Sequence, residues 1–97
     1  MVTLIVRFKS GMTYEELMKK SEERAPQYRA QKGLMQKYYL KYSDDGEYGA
    51  VYLWDSKESL EAFSKSELRQ SIPTAYQIQG TPDMTTAEVV MALRAEE

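Results

Sequence analysis

Lys37 stands inside an apolar aromatic run, Leu34–Tyr42 (LMQKYYLKY). A lysine held there could orient an anionic or phenolate group. It could equally lay its stem on a sheet and keep its ammonium in water. Lys41, four residues on and on the same face of a strand, favours that second possibility. Trp54 closes a second run, Tyr48–Trp54 (YGAVYLW), just before a helix start. It could wall an aromatic pocket or anchor a core. Tyr28, Tyr38, Tyr39 and Tyr52 each carry a phenol that can donate to a developing oxyanion or satisfy itself at an interface. Glu88, among apolar neighbours, is either a proton-accepting carboxylate or a strand-end residue facing water.

The rest of the composition narrows the chemistry. The 97 residues contain no His and no Cys. That excludes disulfides, thiolate nucleophiles, serine–histidine triads, His-bound haem and His- or Cys-ligated metal. Asp44-Asp45-Gly46-Glu47 lacks the alternating carboxylates of a calcium loop and reads as a turn. There is no Gly-rich phosphate loop and no dinucleotide fingerprint. No metal site and no cofactor are expected. No run approaches the roughly 18 apolar residues of a membrane span. The chain starts directly on a strand-like run without a signal peptide, so a cytoplasmic protein is expected.

These residues must be positioned by a small set of elements. Val2–Phe8 alternates, with Val2, Leu4, Val6 and Phe8 on one face, and predicts a strand. Thr13 and Glu16 form a capping box for a helix with Tyr14, Leu17, Met18, Ala25 and Tyr28 along one stripe. Pro26 should kink that helix or end its first part near Ala25, and Gly33 ends the segment. Leu34–Tyr42 and Tyr48–Trp54 read as a hairpin across the Asp/Gly turn. Asp55–Glu58 opens a second helix with Leu60, Ala62 and Phe63 on its apolar side. Gln70–Asp83 is punctuated by Pro73, Gly80 and Pro82, and reads as a lid or as a short helix begun at Pro73. Thr85–Arg94 closes the chain as a strand, with Ala87, Val89, Met91 and Leu93 alternating. Met12, Met18, Met35, Met84 and Met91 are expected to fill core gaps.

The order β-α-β-β-α-β predicts one α+β domain over residues 1–97. Its simplest form is a ferredoxin-like, four-stranded antiparallel sheet with both helices on one face. The opposite face also carries apolar or aromatic residues, among them Ile5, Tyr38, Leu40 and Tyr42. Two helices cannot cover both faces. A second copy of the same sheet is the simplest cover, which predicts a homodimer with two sheets packed as a dimeric α/β barrel.

Gly33–Leu40 (GLMQKYYL), an acidic turn, Gly49–Trp54 (GAVYLW) and a helix opening with Lys57-Glu58-Ser59 resemble the YdhR-type monooxygenases. These belong to the dimeric α/β-barrel superfamily that includes the antibiotic-biosynthesis monooxygenases. The resemblance covers about residues 25–65, with Ala50 where the family pairs two glycines. It implies a dimer with a pocket between sheet and helices in each subunit. It also implies a cofactor-independent monooxygenase, in which an electron-rich aromatic or polyphenolic substrate reduces molecular oxygen itself. The protein then supplies positioning, desolvation and hydrogen bonds. The expected catalytic residues are Lys37, steadying an oxyanion, and Trp54. Tyr39 and Tyr52 would line the pocket with Trp54, and Tyr28 would close one end.

Two other functions fit the element order. A non-catalytic regulatory or interaction dimer is compatible with everything above. An RNA-recognition module shares the order but wants base-stacking rings on its third strand. Here Ala50 takes such a position, and a pI near 5.2 opposes phosphate binding. The expected partners are a second copy and a small aromatic molecule, with no nucleic acid and no membrane.

Overall fold

The computed structural model describes residues 1–94. The elements are β1 (Val2–Ser10), α1 (Tyr14–Arg29), β2 (Leu34–Lys41), β3 (Glu47–Trp54), α2 (Lys57–Ser64), α3 (Glu67–Gln70), α4 (Ile72–Ala75) and β4 (Ile78–Glu88). One antiparallel sheet runs in the order β2-β3-β1-β4. This is the expected ferredoxin-like α+β fold.

Local chemistry explains most boundaries. The Glu16 backbone N–H donates to Thr13 Oγ1 at 3.2 Å, and the Thr13 N–H donates to Glu16 Oε1 at 2.8 Å, so the capping box is complete. Ser56 caps α2 by accepting from the Ser59 N–H. The acidic turn is tied to the sheet by Arg7, which bridges Asp44 at 3.1 Å and Glu47 at 3.0 Å.

Three expectations need correction, and of the two outcomes expected at Pro26 the helix end is excluded. Pro26 does not end α1, which continues to Arg29. Pro26 is exposed, so the carbonyl it leaves without a donor can turn to water. Tyr14 is 42% exposed, and Ser21 takes a place on the buried stripe with Leu17 and Tyr28. The last strand is Ile78–Glu88, not Thr85–Arg94. It is the run that β1 can pair, from Ser10↔Ile78 to Val2↔Glu88, and the Val89 N–H makes a last bond to Met1 O. Gly80 and Pro82 sit in an irregularity between the Arg7 and Lys9 pairings, on an edge strand that tolerates both. Finally, Met35, Met84 and Met91 are exposed and fill no core gap, whereas Met12 and Met18 pack against buried residues.

Pairing Leu4↔Tyr52 and Lys37↔Tyr52 fixes which side chains face the helices. Leu4, Tyr28, Tyr52, Trp54, Leu60 and Phe63 form the main core, and Leu17, Tyr48 and Tyr76 form a second cluster beside it. On the other face stand Ile5, Tyr38, Leu40, Val51 and Leu53, with Ile5 38% and Tyr38 47% exposed.

Candidate functional site

A slot opens between the sheet and the helices. Leu4, Val6, Ala50 and Tyr52 form its floor, Phe63, Ile72 and Tyr76 its roof, and Arg69, Pro82 and Met84 stand among its remaining walls. It measures about 590 Å³ out to its open mouth, yet the centre of a water molecule has only about 40 Å³ to move in. It is therefore narrow as it stands. A shallower recess beside it is lined by Tyr28, Arg29, Leu34 and Met35. Lys37 and Tyr39 line both and form the partition between them.

The phase of β2 brings Lys37 there. The register slips between Leu34 and Gln36, after which Lys37 and Tyr39 face the helices while Tyr38 and Leu40 face away. The Lys37 ammonium then lies 3.4 Å from the centroid of the Tyr28 ring, 4.4 Å from Tyr39 and 4.7 Å from Tyr52. Among the described residues no carboxylate pairs with it. Burial strips its water, and the Arg24 guanidinium repels it, so its pKa is pushed down to about 7. The ring faces return about 0.5–2 kcal/mol to the ammonium. That is less than the several kcal/mol of hydration a buried ion loses.

The phenols move the other way. Burial pushes Tyr39 up to about 12, with Tyr76 and Tyr28 adding to it. Burial raises Tyr52 further, helped by the adjacent Tyr28 phenol. At neutral pH both are therefore protonated donors beside an amine that is only partly charged. Among the described residues the buried Tyr28 hydroxyl has no hydrogen-bond partner.

Four of the five expected site residues thus come together: Lys37, Tyr39 and Tyr52 in the slot, and Tyr28 around the Lys37 head. Trp54 does not join them. It is wholly buried, lines neither cavity, and stacks on Tyr52 at 6.2 Å and 7° while packing 5.1 Å from Phe63. Its register opposite Val2 and Leu34 puts it deep in the core, one pair beyond the slot floor. Glu88 is an exposed strand-end residue.

Two cations escape a reading of the sequence. Arg24 lies 5.9 Å over Tyr28 and 5.6 Å over Tyr76, donates to Ser71 Oγ and Leu68 O, and keeps its Nε buried without a partner among the described residues. The spacing Arg24–Tyr28 does place both on one helical face. Arg69, on α3, donates to Met84 Sδ at 3.4 Å. The loop between α2 and β4 brings it there, and nothing local in the sequence signals that.

No protein-family model matches the sequence, and neither does any curated protein. Solved structures do match its fold. SnoaB, a cofactor-independent oxygenase from Streptomyces nogalater, is 17% identical with a TM-score of 0.77 over 97% of each chain. Rv0793 from Mycobacterium tuberculosis is 16% identical with a TM-score of 0.75, over 96% of this chain and 98% of that one. An antibiotic biosynthesis monooxygenase is 12% identical with a TM-score of 0.74, over 94% of this chain and all of the other.

Proposed function

The chain has the fold of the antibiotic-biosynthesis monooxygenases, and we propose that it shares their kind of chemistry: binding a small aromatic or polyphenolic molecule in the slot and oxidising it with molecular oxygen, without a cofactor. The observation that carries this is the Lys37 head, ringed by Tyr28, Tyr39 and Tyr52 on the wall of an apolar slot, with no carboxylate beside it among the described residues. An aromatic ring finds apolar and ring surfaces there, and a phenolate finds a cation and phenol donors. Lys37 takes the phenolic proton or pairs with the anion, and Tyr39 and Tyr52 donate to the oxygen. Trp54 acts through Tyr52 as a positioning residue, and Tyr28 holds the Lys37 head. SnoaB, with the same fold, is named as a cofactor-independent oxygenase, which supports this reading.

The YdhR-type subgroup, a cytoplasmic location and a homodimer complete the proposal. The sheet face with Ile5, Val51, Leu53 and Leu40 is apolar, and a second copy would cover it. Among the described residues no helix is long and apolar enough to cross a membrane. The narrowness of the slot favours a second reading, a dimer that binds and does not catalyse. Oxygen uptake with reduced polyphenols separates the two. The oxygenase should consume oxygen in proportion to enzyme, and Lys37→Met should slow it tenfold or more. Equal rates in both proteins would remove Lys37 from the mechanism, and no uptake would leave the binding dimer.

A further inference from the structure

We propose that Lys37 is also an amine nucleophile, condensing with the carbonyl of a single-ring aromatic aldehyde seated in the slot. The same slot serves this activity, but oxygen and the oxygenase reading are not needed for it. Nζ sits in the partition between the slot and the side recess, so a planar electrophile can approach it along an apolar wall. The groups facing it are Arg24 and Tyr28 from α1, Tyr39 on its own strand and Tyr52 from β3. A carboxylate would hold the amine as an ammonium, and none is among them. A desolvated lysine beside a second cation is the arrangement that makes an amine nucleophilic near neutral pH. Flat rings line a space too narrow for bulk, which selects one aromatic ring over a branched carbonyl compound.

The step balances. The amine nitrogen bonds to the carbonyl carbon and loses a proton, and the carbonyl oxygen gains one, giving a carbinolamine. The Tyr39 or Tyr52 phenol then protonates the departing hydroxyl. One water leaves, a carbon–nitrogen double bond forms, and the nitrogen's remaining proton returns to the phenolate. Nothing is oxidised or reduced.

The test uses the whole protein with benzaldehyde and cyanoborohydride at pH 7, followed by peptide mapping by mass spectrometry. The hydride donor only traps the imine as a stable benzyl-lysine. The expected result is a benzyl group on Lys37 at least tenfold above any of the other seven lysines. Labelling of Lys37 should rise between pH 6 and 8 and then level off. The α-amino group, a second amine of a different kind, serves as the reference. Labelling confined to that group, or no heavier on Lys37 than on surface lysines, overturns the proposal. A labelled Lys37 without oxygen uptake would contradict the oxygenase and leave this inference standing. Lys37-dependent uptake without a label would do the reverse.

Discussion

Burying Lys37 among three rings carries a stability cost that depends on pH. Its folded pKa near 7 lies below the unfolded value of about 10.4, so above pH 7 the unfolded chain binds the extra proton. Stability from this residue is therefore lowest and flat below pH 7, and rises toward pH 10 with a slope approaching about 1.4 kcal/mol per unit. Urea titrations should show the stability gap between Lys37→Met and the wild type shrinking over that range. A gap independent of pH would mean that the ammonium stays hydrated. Trp54 makes a different prediction at the same scale. Because it fills the core rather than the slot, Trp54→Ala should lose about 3–5 kcal/mol in the same titrations. A loss under 1 kcal/mol would contradict its place against Phe63 and Tyr52. The types of Lys37, Tyr39 and Tyr52 and their place on the strands were legible in the sequence. The depth of Trp54 was not, because alternation assigns a face and says nothing about distance from the slot.

At the scale of elements, the hairpin, both long helices and their caps follow from local chemistry, which is why they could be read in advance. The last strand could not. Its bounds are set by where β1 begins and ends, a partner 68 to 86 residues away. The alternation through residues 89–94 is real, yet Val90 and Leu93 stay 92% and 87% exposed because no strand remains to pair them. Gly33 shows how tightly the entry to β2 is set. It adopts φ +86, and a β-carbon there would fall 2.1 Å from Ser59 Oγ and 2.6 Å from Asp55 Oδ1. Gly33→Ala should therefore cost about 1–3 kcal/mol and disturb the Asp55 N–H bond to Gly33 O. Thermal melts would check this, and an unchanged melting temperature would mean the loop relaxes freely.

For the whole molecule, the sheet has one face under helices and one open face with an apolar patch around Ile5, Val51 and Leu53. Two sheets packed together would bury Ile5, Val51 and Leu53 away from water, and each charge placed there would have to be desolvated. Sedimentation should give twice the 11.2 kDa chain mass for the wild type and a single chain for Val51→Lys. A wild-type monomer would remove the barrel and leave the open face for another partner. The slot lies on the opposite side of the sheet, so a folded Val51→Lys monomer should retain Lys37 in its ring of tyrosines.

The proposed function requires this slot to hold an aromatic molecule against Lys37. Calorimetric titration of hydroquinone, a single-ring polyphenol, under nitrogen, into wild type and Lys37→Met at pH 7, tests this directly. Saturable binding at one site per chain is expected, weakened tenfold or more in the variant. Equal affinity in the two proteins, or no binding to the wild type, would contradict it.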